Sequence, residues 1–443
     1  MRVKSLGVFA LTMITISAVL NLRGIPLIAA LGIWSVFYYL LGALCFLIPS
    51  TLICLALSQK FPESGGIYIW VQKSLGPSWG FLAIWMEWIN NLVSTPATLA
   101  SLLGTLSFAG LGFLSKTPTH LFLTLCLIYL FLTWLNSLNI GTSSKLNTLG
   151  ALLGTLFPGF LIMGLALGFI FFTPQSHPVF IFDFSHTPSS FSYSNLSLFL
   201  SVLSAYSGMQ ITAFHFQNIH NPKKTLPKAL LLSCALILLI SMGTALALSS
   251  IIPSGSIQII TGVMQSFQAF FNFFKLGFLT PLLAIALALG SLASMSAWII
   301  GPARGFFQFA KFSNTPKIFT QTNQQGMPTG ILTIQLFLGL FLLSVYLWMP
   351  SVTQAFWFLL VITSQFTLLM FALVFISALK IIKNIFIKLL ALLGLITVVL
   401  GFLLGLVPPE ILKIQNHVLY ISEIIGADIL ILGVPILFLK IRK

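Results

Sequence analysis

Stretches of about 20 apolar residues, the length a helix needs to cross a bilayer, fill almost the whole of this 443-residue chain. On that rule twelve segments can be drawn, at roughly 5–33, 34–57, 80–108, 119–139, 146–173, 195–218, 229–252, 276–301, 329–349, 352–379, 386–407 and 418–439. The longest polar connections between them, 58–79, 174–194, 253–275 and 302–328, are each too short to bury a core of their own. Charged residues make up 6% of the chain and the mean hydropathy is +1.06, whereas roughly a quarter of a soluble domain is charged. The expectation is an all-α polytopic membrane protein with twelve transmembrane helices, one transmembrane unit over 1–443 seated in a lipid bilayer.

The net charge of +15 does not point to nucleic acid, because the basic residues are not gathered into a groove-binding patch. Cytoplasmic loops carry the excess of Lys and Arg. With the N-terminus inside, Lys116, Lys275 and Lys413 fall outside, Arg23 falls within the membrane, and every other Lys and Arg falls inside. Both termini are therefore expected in the cytoplasm. The four cysteines, Cys45, Cys54, Cys126 and Cys234, sit inside apolar segments without metal or redox spacing, where a thiol acts as a small hydrophobe.

Two of the twelve segments are interrupted. Ser17 to Pro26 reads Ser-Ala-Val-Leu-Asn-Leu-Arg-Gly-Ile-Pro, and Ala205 to Gln210 reads Ala-Tyr-Ser-Gly-Met-Gln. Lipid cannot satisfy free backbone groups, so a broken helix at membrane depth must face protein or a watery cavity. The first and sixth segments lie an odd number of spans apart and so run in opposite directions. Inverted repeats follow, 5–173 and 195–379, with two helices appended at 386–439. Paired broken helices offer helix N-termini to an anionic group and free carbonyls to a cationic one, which suits an amino-acid zwitterion. Candidate substrate-binding residues are Asn21, Leu22, Arg23, Gly24 and Ile25 at the first break, and Tyr206, Ser207, Gly208, Met209 and Gln210 at the second.

Several readings stay open. Arg23 can bind a substrate carboxylate, pair with Glu87 of the third segment, or snorkel to the outer surface. Glu87 is a proton carrier or half of that ion pair. Trp298 and Trp357 are candidate gates. His215 and His220 are read as surface groups near the inner end of the sixth segment rather than pH sensors, and Ser291, Ser294 and Ser296 as path-lining or self-bonding hydroxyls. Glu423 and Asp428 of the twelfth segment are assigned to a dimer contact, water or headgroups.

The second loop, Phe61-Pro62-Glu63-Ser64-Gly65-Gly66-Ile67-Tyr68 with Leu75-Gly76-Pro77-Ser78-Trp79-Gly80-Phe81, resembles that of the amino acid–polyamine–organocation (APC) permeases. Asn221-Pro222-Lys223-Lys224 with Pro227 and Ala229, and Ser296 to Gly305 (Ser-Ala-Trp-Ile-Ile-Gly-Pro-Ala-Arg-Gly), resemble the bacterial glutamate/γ-aminobutyrate antiporter branch. Gly262 to Phe267 and Pro408-Pro409-Glu410 add to that likeness, which covers nearly the whole chain. The resemblance implies a LeuT-like 5+5 inverted repeat with broken helices 1 and 6, and alternating access in which a bundle rocks against a scaffold. There are two departures. The acid-resistance members carry a long C-terminal plug where this chain ends at Lys443, and a carboxylate after the sixth-helix break where this chain has Gln210. Glutamate exchange and acid gating are therefore not carried over, and amino-acid transport is.

The sequence has no Walker motif, metal cluster or nucleophile–base pair, so neither a pump driven by ATP nor an enzyme is expected, and no cofactor. What remains is secondary amino-acid transport, as an exchanger, in a bacterial cytoplasmic (inner) membrane. Proton-coupled amino-acid or polyamine symport is the alternative, and a transporter-like receptor a further one. H+ coupling and a homodimer are left open. For the orientation, a cysteine placed at Phe184 should label from outside intact cells and one at Lys224 only from inside; labelling of position 224 from outside would reverse the topology.

Overall fold

The computed structural model describes residues 6–20, 22–62, 66–138, 150, 152–173, 193–212, 219–311 and 316–441. Asn21, the Glu63–Gly65 part of the second-loop motif, Phe184 and His215 lie outside the described residues. Among the described residues the chain is helical, with one isolated parallel bridge between Leu6 and Ile219. Among the described residues eleven helices are long and apolar enough to cross a membrane. In the sequence numbering they are segments one (Val8–Ala29), two (Trp34–Lys60), three (Pro77–Ser115), four (Pro118–Ser137), five (Leu152–Phe172), seven (Pro222–Ile251), eight (Leu279–Lys311), nine (Thr329–Trp348), ten (Val352–Ile381), eleven (Ile385–Leu404) and twelve (His417–Ile436). The described part of the sixth, which ends at residue 212, consists of short pieces, Tyr193–Leu196, Phe199–Ala205 and a tight turn over 209–212.

Three of the polar connections contain helix. Gly66–Leu75 buries Ile67, Trp70, Val71 and Ser74, and Gly262–Phe273 buries Met264, Phe267, Phe270 and Phe271. Both sets repeat every three to four residues, the spacing of one helix face. The eighth segment likewise continues through Pro302 to Lys311, because Ala303, Phe306 and Phe307 keep that period beyond the proline. The outer surface is apolar: Leu127, Phe171, Phe337, Phe341 and Leu389 are all exposed, as lipid-facing residues are.

Prolines inside these helices show how the interior is tied together. A proline lacks the N–H that would bond the carbonyl four residues earlier, and a freed carbonyl in the membrane needs another donor. Pro302 frees the Trp298 carbonyl, and Asn91 Nδ2 donates to it. Pro435 frees the Ile431 carbonyl, and Trp85 Nε1 donates to it at 3.3 Å. Both donors belong to the third segment. Beside them Trp88 Nε1 donates to Gln335 Oε1 (3.1 Å), Gln335 Nε2 to the Ile299 carbonyl (3.3 Å), and Tyr129 Oη to the Gln335 carbonyl (3.0 Å). Ser296 Oγ donates to Asn136 Oδ1 at 3.2 Å. These bonds join the third, fourth, eighth and ninth segments into one polar-stitched unit.

The second and fifth segments each contain a widened turn, Ala43–Leu47 and Leu152–Leu156, followed two residues later by Pro49 and Pro158. A wide turn makes room for the proline ring without breaking the helix. In the fifth segment that turn contains Gly154, whose backbone lies against Gly290 of the eighth so closely that a Cβ on either would strike the other's main chain. Small residues of this kind let membrane helices approach without side chains between them. The tenth segment is buried on nearly all sides and anchors the last two: Gln365 Nε2 donates to the Phe402 carbonyl, and Trp357 Nε1 to Tyr420 Oη, which in turn donates to the Gly405 carbonyl.

Trp85→Phe should lower stability by about 1–3 kcal/mol through the carbonyl it leaves bare, and by markedly less when Pro435→Ala restores an N–H at that turn. A double-mutant cycle on thermal unfolding of the purified protein reads the difference; equal costs in both backgrounds would refute the pairing.

Candidate functional site

The first segment is helical over Val8–Val19, extends at Leu20, and resumes through Leu22–Gly24 into Ile25–Ala29. Pro26 fits in the first turn of the resumed helix, where an N–H would have no helical acceptor. The sixth segment ends its helix at Ala205 and unwinds over Tyr206–Gly208. Gly208 has φ +123°, a conformation that side chains resist. A Cβ there would stand 3.0 Å from Val19 Cγ2 and 3.2 Å from the Ala18 carbonyl oxygen. The missing side chain is thus what lets the two breaks touch.

Around this contact lies a cavity of about 220 Å³. From the breaks it is lined by Ser17 to Leu20, Leu22, Arg23 and Gly24, and by Ser204, Ala205, Ser207, Gly208 and Gln210. The third segment contributes Asn91, Ser94 and Thr98, the eighth Ser291, Ser294 and Trp298, and the tenth Thr363 and Thr367. The lining runs from the breaks to Thr105, Ile260, Thr261 and Met264, on the side of the 253–261 connection. Toward the opposite side Leu11, Thr15 and Ile16 of the first helix are buried, and the His220 N–H donates to the Leu6 carbonyl at 3.0 Å. Among the described lining residues Arg23 carries the one formal charge; it is partly buried, and its Nη1 donates to the Ser94 carbonyl at 3.5 Å. No group of His, Cys, Asp and Glu suited to a metal ion occurs among the described residues.

The sequence candidates divide accordingly. Leu22, Arg23, Gly24, Ser207, Gly208, Gln210 and Trp298 meet at the cavity. Ile25, Tyr206 and Met209 are buried elsewhere in the packing; Tyr206 Oη donates to the Tyr39 carbonyl at 3.2 Å. Trp357 is away from the cavity, on Tyr420. Glu87 is buried and takes Gln210 as its partner, with Nε2 3.4 Å from each carboxyl oxygen, rather than Arg23. Ser291 and Ser294 line the space, while Ser296 is used on Asn136. Glu423 is exposed, and Asp428, expected at a contact, water or headgroups, is buried instead. The polar wall of the third segment was missed, although Asn91, Ser94, Thr98, Ser101 and Thr105 recur every three to four residues along one helix face, a pattern open to inspection in the sequence.

Comparison with known proteins gives a consistent picture. Residues 6–430 match the family described as amino acid permease. An uncharacterized transporter of Legionella pneumophila is 34% identical, over 99% of this chain and 97% of its own. The glutamate/γ-aminobutyrate antiporter of Lactococcus lactis subsp. cremoris is 30% identical, over 76% of this chain and 67% of its own. The cadaverine/lysine antiporter of Escherichia coli is 24% identical, over 73% and 71% respectively. Among solved structures, MhsT in complex with L-phenylalanine, a LeuT-fold transporter, superposes with a TM-score of 0.57 at 14% identity, over 91% of this chain and all of that one. That likeness concerns the fold.

The contact between the breaks yields a prediction. Gly208→Ala must adopt a strained backbone, at a cost of about 1–3 kcal/mol, and push against Ala18 and Val19. Transport by the reconstituted variant should be largely lost while the protein still purifies as a single species; wild-type rates would show that the approach of the two breaks is incidental.

Proposed function

The chain belongs to the amino acid permease family, and from that premise we propose that this multi-pass transporter exchanges amino acids across a bacterial inner membrane by alternating access. The carrying observation is the cavity between the two breaks, which combines one guanidinium with hydroxyl, amide and backbone groups. At about 220 Å³ it falls below the roughly 300–1,000 Å³ of pockets for drug-sized ligands and suits a small metabolite. Arg23 is the partner for a substrate carboxylate, and the open carbonyls and hydroxyls of the breaks are the partners for its ammonium group. Exchange is favoured by the relatives named as antiporters.

The polyamine alternative is the weaker reading. A polycation needs anionic partners, and none of the described lining residues is Asp or Glu. Taken with the basic loops as cytoplasmic, the cavity is outward-facing, since its lining extends toward the side that carries few Lys and Arg. The breaks then belong to the repeats 5–173 and 195–379, with both termini inside.

Counterflow in proteoliposomes tests this reading. Labelled L-amino acids should enter only when unlabelled amino acid is loaded inside, and putrescine should not compete; binding without accumulation would indicate a receptor. Within that assay Arg23→Gln should raise the apparent Kd roughly tenfold to a hundredfold, because a hydrogen bond to a charged group contributes about 1.5–3 kcal/mol and 1.4 kcal/mol is about one decade. Arg23→Lys should recover part of that loss. An unaltered affinity in Arg23→Gln would remove the guanidinium from the substrate site.

A further inference from the structure

The pair formed by Glu87 and Gln210 has no task in simple exchange. Both side chains are buried, at 1% and 2% exposure. Gln210 lines the cavity and Glu87 does not, so the amide stands between the carboxyl group and the substrate space. Its Nε2 lies 3.4 Å from each oxygen of Glu87. The other end of the same amide, Oε1, is buried and has no hydrogen-bond partner among the described residues.

A carboxylate can only accept, so it holds the NH₂ end of a glutamine and leaves the carbonyl end for whatever enters the cavity. A protonated carboxyl has an O–H to donate, and the amide oxygen is the better acceptor for it. The terminal torsion of glutamine is broad and roughly two-fold, so the amide can turn over and offer NH₂ to the cavity instead. We propose that Glu87 takes up and releases a proton during transport, and that Gln210 converts this into an acceptor or a donor at the edge of the substrate site. In the wild type, binding of a substrate ammonium group to Gln210 Oε1 then requires Glu87 to have lost its O–H, and the proton leaves Glu87 for cavity water. This rests on the reading that the cavity binds an amino acid.

The surroundings leave Gln210 as the group through which this change is felt. Cys54 of the second segment faces Glu87 and is itself buried. Arg23 bonds the Ser94 carbonyl, seven residues further along the third helix, or about 10 Å at its rise per residue. Asp428 belongs to the twelfth segment, one turn before the Ile431 carbonyl that Trp85 holds, and its Oδ1 has no hydrogen-bond partner among the described residues.

The test uses the full-length purified protein with an equimolar mixture of the common L-amino acids other than histidine as the probe. Apparent affinity is read from ligand-induced thermal shifts over a pH series, and proton release from an indicator dye in weak buffer. One proton displaced per substrate weakens apparent affinity by about tenfold per pH unit on the acid side, and adding the mixture should release protons. Glu87→Gln, whose amide oxygen can still accept from the Gln210 NH₂ but which has no proton to give up, should bind at a fixed affinity, with a flat pH profile and no proton release. Gln210→Leu should bind less tightly and also release none, so it serves if Glu87→Gln does not purify. A wild type that binds with a flat profile, or a variant that keeps the wild-type slope and release, overturns the proposal alone. A wild type that binds nothing at any pH overturns the cavity reading and the proposal with it.

Discussion

Lipid offers no hydrogen bonds, and the third segment is where this protein meets most of that demand. Its Asn91 and Trp85 donate to carbonyls that Pro302 and Pro435 leave without their helical partners, in two different helices. Its own Pro96 carbonyl, inside the helix Pro77–Leu106, accepts from Tyr346 Oη at 3.2 Å. Trp88 and the Gln335 amide extend the stitching to the fourth and ninth segments. Because each bond satisfies a group that would otherwise be bare in an apolar medium, these helices are fixed relative to one another.

The broken segments meet that fixed wall differently. Arg23 reaches the Ser94 carbonyl at 3.5 Å and Gln210 reaches Glu87 at 3.4 Å, both at the long end of hydrogen-bond geometry and both on the third helix. Between the breaks themselves, Gly208 lies against Ala18 and Val19. A wall stitched by buried amides, with long polar ties to two interrupted helices, is compatible with the alternating access proposed above. The same two ties border the cavity, so a substrate competing for either one acts on the contact between the two parts.

Much of this was legible in the sequence because membrane helices obey few rules. Apolar length gave the spans, and Gly24, Pro26 and Gly208 marked the breaks. What escaped depended on direction and level. Tyr206 and Met209 are neighbours of Ser207 and Gly208, yet they turn into the packing, since side-chain direction in an unwound stretch follows local dihedrals that residue types do not specify. Charge alone pairs Glu87 with Arg23, but Arg23 meets the third helix two turns away, at Ser94, and the carboxyl group finds Gln210. The polar face from Asn91 to Thr105 could have been read by its period, and was masked by the length of the apolar run around it.

That an amino acid occupies the space between the two breaks is most directly tested by protection. A cysteine replacing Thr98, on the cavity wall, in a background without Cys45, Cys54, Cys126 and Cys234, should react with a small hydrophilic thiol reagent. Saturating L-amino acids should slow that reaction at least severalfold, and Arg23→Gln should move the protecting concentration upward. If transport proceeds while Thr98→Cys reacts at the same rate with and without substrate, the amino acid takes another route and the cavity is not its site.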